Sequence, residues 1–204
     1  MDDYTIQELQ IKDYTLLDDI FKIYQSCFNQ AIKIPQKEIR KYFLSGFYII
    51  NCIRDIKNNT ICGFCMHMII KNVGAIQIDY IAIKNNYQGK GLARILFNYI
   101  FTNYCKTKIL TLECEDHLIE FYKKLGCILI PMKYEVGCNY HLNIMFKSNK
   151  NVTVRYYSKI VNNIKLENDY CTNFISSYTE KYINELKTKF NKKIQNMARL
   201  KVNN

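Results

Sequence analysis

Apolar residues recur along this chain at two spacings, and the switches between them divide it into elements. Residues 5–11 alternate weakly between apolar and polar, the mark of a half-buried strand. Leu16, Leu17, Ile20, Phe21, Tyr24, Cys27 and Phe28 then fall three or four apart, which is helical spacing, and Thr15 with Asp18 three residues on is placed to cap that helix. A shorter helix is expected after Pro35, through Ile39, Tyr42 and Phe43. Three β-rich runs follow, FYIINCIR, TICGFCMHMII and AIQIDYIAI, separated by the turn segments DIKNN and KNVG. They read as an antiparallel meander.

From Gly91 the period is helical again, with Leu92, Ile95, Leu96, Tyr99 and Ile100 on one face, and KILTLEC reads as the next strand. The helix HLIEFYKKL runs up to Gly126, a natural left-handed cap, and residues 127–136 and 139–146 form a closing strand pair around Gly137. The order β-α-α-β-β-β-α-β-α-β-β predicts an α+β fold: a central, mostly antiparallel twisted sheet flanked by helices, with one parallel crossover at the central helix. Beyond Lys147 the pattern changes. NVTVRYY is a further strand candidate, and Ser177 with Glu180 would open a long amphipathic helix through Tyr178, Tyr182, Leu186, Phe190, Ile194, Met197 and Leu200. The expected division is a domain over residues 1–147 and a basic C-terminal extension over 148–204.

Composition narrows the class. At 204 residues, 49% hydrophobic and 23% charged, the chain is an ordinary globular one with material for one full core. No run approaches the roughly 18 apolar residues of a membrane span, and the polar, acidic start MDDYTIQELQ is unlike a signal peptide. Nine cysteines, an odd number scattered through the elements, suit a reducing compartment, so a cytoplasmic location is expected, a nuclear one not being excluded. The net charge of +11 is uneven: residues 1–149 carry +4 and residues 150–204 carry +7. Solvated lysines explain such a tail, and contact with nucleic acid is an open alternative. The apolar stripe of the tail helix needs a partner surface, either its own domain or a second subunit in a homodimer.

The sharpest chemical feature is the junction from AIQIDYIAI through KNNY to QGKGLARILF. A strand that runs through a glycine-bearing turn into a helix points backbone N–H groups and the positive end of the helix at one spot, where a phosphate can be held. Gly89 and Gly91 keep Cβ atoms out of that approach, and Lys90 and Arg94 add positive charge. The spacing fits neither a P-loop, which needs a Lys-Ser/Thr pair after its second glycine, nor a three-glycine dinucleotide fingerprint.

The segment resembles the pyrophosphate loop of the GNAT superfamily of N-acetyltransferases, of the form Gln/Arg-x-x-Gly-x-Gly/Ala, which Gln88, Gly91 and Ala93 match. The resemblance extends to LTLECEDHLIEFYKKLGC, where Tyr122 precedes Gly126 by four residues, and upstream to Gly63-Phe64, so that it covers residues 5–146. Gly126-Cys127 replaces the family's Gly-Phe, and no Asn lies between Glu113 and Tyr122. The resemblance implies acetyl-CoA as co-substrate and a primary amine as acceptor: a protein N-terminus, a lysine or a small amine. It implies that Gln88, Gly89, Lys90, Gly91, Leu92, Ala93 and Arg94 hold the diphosphate, and that Ile81, Ala82 and Ile83 present main-chain groups to the pantetheine arm and thioester. It further implies Tyr122 as general acid, with Glu113 or Asp79 as general base. Asp79, Glu113, Glu115, Asp116 and Glu120 would together line an acidic acceptor mouth.

Two other readings compete. Cys62-x-x-Cys65 and Cys138-x-x-His141 have metal-ligand spacing, but residues three apart on a strand point to opposite faces, so no metal is expected. The alternative function is a non-catalytic acyl-CoA-binding or interaction module in which the basic tail binds nucleic acid or a partner.

Overall fold

In the computed structural model, which describes residues 3–70, 75–105, 109–135 and 140–148, each change of hydrophobic period marks a change of element. Seven strands, β1 (Tyr4–Glu8), β2 (Ile49–Asp55), β3 (Thr60–Ile70), β4 (Ala75–Ile83), β5 (Ile109–Cys114), β6 (Ile128–Glu135) and β7 (His141–Ser148), make one sheet in the order β1-β2-β3-β4-β5-β7-β6. All neighbours are antiparallel except β4 and β5, which the crossover helix makes parallel. The last strand inserts between β5 and β6, a permutation that no local pattern announces. Four α-helices cover the two faces: α1 (Leu17–Cys27) and α2 (Gln36–Leu44) lie on one, α3 (Leu92–Asn103) and α4 (Ile119–Lys124) on the other. The turn expected around Gly137 and, but for Ser148, the extension expected over 148–204 lie outside the described residues.

Local chemistry sets the helix ends. A 3-10 turn over Ile11–Leu16 runs straight into α1, and Leu16 has helical backbone angles of −70° and −16°. A capping residue needs extended backbone, so the expected Thr15–Asp18 cap does not form. The entry is secured earlier, where the Gln10 N–H donates to the Asp13 carboxylate at 3.0 Å. In α3 the buried residues are Leu92, Leu96, Phe97, Ile100 and Phe101, while Ile95 and Tyr99 are half-buried, so the stripe is turned by about one residue from the expected face. After α4, Gly126 adopts φ +83°, the left-handed cap its position predicts.

Two bulges change which side chains share a face. The β2–β3 register steps from Ile53–Gly63 to Arg54–Ile61 and leaves Cys62 as an extra residue. Cys62 and Cys65 therefore both point into the core layer beneath α3, contrary to the opposite faces that strict alternation predicts. Among the described residues no group of three or more His, Cys, Asp or Glu side chains is placed to hold a metal ion. The second bulge steps from Met66–Tyr80 to His67–Ile78 and leaves Asp79 as the extra residue. Ile76, Ile78 and Ile83 accordingly sit under α3, while Tyr80 and Ala82 face α1 and α2. Among the described residues no helix is long and apolar enough to cross a membrane.

Gly63 marks the closest approach of β3 to β4. A Cβ there would lie 2.5 Å from the Ala82 carbonyl oxygen and 3.2 Å from the Ile83 Cα, and the backbone of a central strand cannot move aside cheaply. Gly63→Ala is expected to cost about 1–3 kcal/mol of stability, read as a lowered urea midpoint; an unchanged midpoint would show that the strands part easily here.

Candidate active site

β4 and β5 pair over only three positions, Ile76–Leu110, Gln77–Thr111 and Ile78–Leu112. Past them β4 continues to Ile83 and β5 to Cys114 without further backbone pairing, and a cleft of about 500 Å³ opens between them. Its walls include Ile81, Ala82 and Ile83 from β4, Gln88 and Ala93 from the following loop and helix, and Phe121 and Tyr122 from α4. A further wall comes from the end of α1 and the segment after it, with Cys27, Phe28, Ile32 and Ile34.

The loop is shaped by its glycines. Gly89 and Gly91 both have φ +77°, a conformation that L side chains rarely adopt. A Cβ at either would meet nothing within 4 Å, so space for a ligand remains beside them. The first intrahelical bond of α3 runs from the Ile95 N–H to the Gly91 carbonyl at 3.1 Å. The N–H groups of Leu92, Ala93 and Arg94 precede it and point out of the helix mouth, an arrangement suited to a diphosphate. The Gln88 side chain turns back to donate to the Ile83 carbonyl at 3.0 Å, tying the loop to the strand. Lys90 places its ammonium 4.8 Å from the centre of the Tyr87 ring, and the Tyr87 hydroxyl donates to Asp55 at 3.1 Å.

Of the residues that the family resemblance assigns to the cofactor, Ile81, Ala82, Ile83, Gln88 and Ala93 line the cleft. Gly89, Lys90, Gly91 and Arg94 are exposed beside it, while the Leu92 side chain packs into the core at 2% exposure. Leu92 can therefore offer only its backbone.

Titratable groups converge from three elements. The bulge at Asp79 sets its carboxylate in the cleft, where it accepts a hydrogen bond from the Tyr48 hydroxyl. Burial pushes the Asp79 carboxyl up to about 6, against hydrogen bonds from Tyr48 and Gln77 that pull it down. The Gln77 Nε2 donates to the Glu113 carboxylate at 2.7 Å, so one amide bridges the two acids. Tyr122 is 4% exposed, and burial, reinforced by the Cys114, Cys65 and Cys127 thiols, holds its hydroxyl far above the usual phenol range. It stays protonated at any working pH. Glu115 also lines the cleft and accepts from the Tyr140 hydroxyl. Asp116 and Glu120, expected at the mouth, do not line it: Asp116 accepts from Asn143 at 2.7 Å, and Glu120 pairs with Lys123 at 2.7 Å.

Gln77 and Tyr48 are cleft residues that motif reasoning passes over. Gln77 carried a signal, a polar residue interrupting the apolar run AIQIDYIAI; Tyr48, one of 17 tyrosines, carried none.

A family model described as acetyltransferase (GNAT) family matches residues 17–127. Among solved structures, a GNAT-family protein from Bacteroides thetaiotaomicron superposes with a TM-score of 0.64 at 15% identity, covering 80% of this chain and 96% of its own. An aminoglycoside 6'-N-acetyltransferase complexed with coenzyme A gives 0.59 at 11% identity, covering 73% and 98%. The ribosomal-protein-S18-alanine N-acetyltransferase from Escherichia coli gives 0.52 at 18%, covering 74% and 99%. These identities speak for the fold alone. No curated protein matches the sequence.

Asp79 binds its proton more tightly when folded than when unfolded, so its ionisation opposes folding. The stability it confers is complete below about pH 4 and is lost as pH rises through about 6. Asp79→Asn, which keeps an acceptor for Tyr48, is expected to raise stability by about 2–3 kcal/mol more at pH 8 than at pH 4 in urea titrations. Equal effects at both pH values would contradict the raised carboxyl.

Proposed function

Because the chain belongs to the acetyltransferase (GNAT) family, we propose that it carries an acetyl group from acetyl-CoA to a primary amine by direct attack within a ternary complex. The observation that carries this reading is the placement of Asp79 and Tyr122 on the wall of one cleft, beside the strand edge and helix mouth that can hold the co-substrate. The residues fit that co-substrate. Space beside the Cβ-free Gly89 and Gly91, the amides at the mouth of α3 and the Lys90 and Arg94 side chains suit a diphosphate, and the backbone of Ile81–Ile83 lies open along the cleft for an amide-bearing arm. The thioester supplies the acetyl group and the leaving sulfur.

Asp79 acts as general base. Its carboxylate, poised near neutrality, takes a proton from the acceptor ammonium and frees the nitrogen lone pair for attack on the thioester carbon. A backbone N–H of Ile81–Ile83 stabilises the oxyanion as the C–N bond forms. Tyr122 acts as general acid, giving its phenolic proton to the sulfur as the C–S bond breaks, and it is restored by the second proton that the nitrogen sheds as the amide forms. Glu113, tied to Gln77, holds the incoming ammonium.

Two outcomes test these roles in a CoA-thiol release assay. Tyr122→Phe is expected to lower kcat by about 10²-fold or more with acetyl-CoA affinity unchanged by calorimetry; full turnover would remove Tyr122 from the chemistry. In the native enzyme kcat/KM should fall about tenfold per pH unit below about 6, because Asp79 must be ionised, and Asp79→Asn should abolish that limb. A limb that survives in Asp79→Asn would pass the base role to Glu113.

A further inference from the structure

The acceptor half of the cleft has two unlike sides. On one, Gln77 is 2% exposed and its Oε1 has no hydrogen-bond partner, although the same amide donates to Glu113 and lies against Asp79. Gln77 and Glu113 face the α1 side of the sheet, since their strand neighbours Ile76, Ile78, Leu112 and Cys114 fill the layer under α3. A buried carbonyl without a donor costs about 1–3 kcal/mol, and here it stands beside two carboxylates. An ammonium brings three N–H donors to these three acceptors. Among the described residues no Lys or Arg lines the cleft, in a chain of net charge +11.

The other side is apolar. Phe28, Ile32 and Ile34 form it, all half-buried, and the Phe28 ring is fixed edge-on to Tyr80 with centroids 5.1 Å apart. Among the described residues these three side chains offer no charged or hydrogen-bonding group to a charged substituent. The third carboxylate, Glu115, accepts from the Tyr140 hydroxyl and lies 3.6 Å from His117, so part of its accepting capacity is taken before a second cationic centre arrives. The whole cleft measures about 500 Å³ and must also take the end of the co-substrate, which leaves room for a small skeleton.

We propose that the acceptor is a small primary amine borne on an apolar, preferably aromatic, skeleton with no anionic group beside the nitrogen. This rests on the acetyl-transfer reading and goes further by choosing among amines. An α-carboxylate would face Asp79 and Glu113 with no Lys or Arg among the described lining residues to offset it, and a polyamine would lay its second ammonium on a wall of Phe28, Ile32 and Ile34 that carries no carboxylate.

The test uses the full chain with saturating acetyl-CoA and measures CoA-thiol release with 2-phenylethylamine, ethylamine, L-phenylalanine, L-phenylalaninamide and spermidine. The expected order in kcat/KM is 2-phenylethylamine above spermidine by at least about tenfold, and L-phenylalaninamide above L-phenylalanine by at least about 30-fold. Phe28→Ala, a half-buried position, should lower kcat/KM for 2-phenylethylamine about tenfold more than it lowers that for ethylamine. Spermidine used as well as 2-phenylethylamine, phenylalanine as well as its amide, or an equal loss on both amines in Phe28→Ala would overturn the inference while acetyl transfer stands. No thiol release with any of the five overturns both.

Discussion

Beyond Ile78 and Leu112 the main chains of β4 and β5 lose each other as hydrogen-bond partners. In a dry interior each unmet backbone group would cost about 1–3 kcal/mol, so the strands can separate only where water or a ligand reaches them. The cleft supplies that access, and it exists because the strands separate. Part of the exposed edge is met from within, as the Gln88 side chain donates to the Ile83 carbonyl. The remainder faces the cleft, where an extended amide-bearing arm can pair with it as an added strand would.

The bulge at Asp79 makes this opening chemical as well as structural. By inverting the alternation of β4, it keeps Ile81 and Ile83 on the α3 side, against the loop that can hold a diphosphate, and turns Tyr80 and Ala82 toward α1. The extra residue is the carboxylate that burial pushes to about 6. Desolvation disfavours its charge, and the Tyr48 and Gln77 hydrogen bonds offset only part of that penalty, which leaves a group able to take and release a proton near neutral pH. Tyr122, shifted by burial in the same direction, stays protonated, which suits the acid role proposed for it.

Much of this was legible in the sequence. The change of period at Gly91 and the two glycines before α3 announced a strand–loop–helix junction, because no other residue tolerates φ +77° at so little strain. Membership of the GNAT family, expected from Gln88, Gly91, Ala93 and Tyr122, agrees with the match over residues 17–127. What local pattern could not carry was non-local. The insertion of β7 between β5 and β6 is a matter of tertiary pairing, and the bulges at Cys62 and Asp79 are register events between strands. Strict alternation therefore misplaced Cys62 relative to Cys65. Phe28 fell within the helical period of α1; only the path of the chain between α1 and α2 brings it and Ile34 to the cleft wall.

The central claim is that the open edge of β4 and the mouth of α3 together hold acetyl-CoA. Amide hydrogen exchange with and without saturating acetyl-CoA tests it most directly. The account predicts slowed exchange over Ile81–Ile83 and Gly89–Arg94, and little change in β1 or β2, which lie at the far edge of the sheet. Binding that protected other segments and left these two unaltered would contradict it.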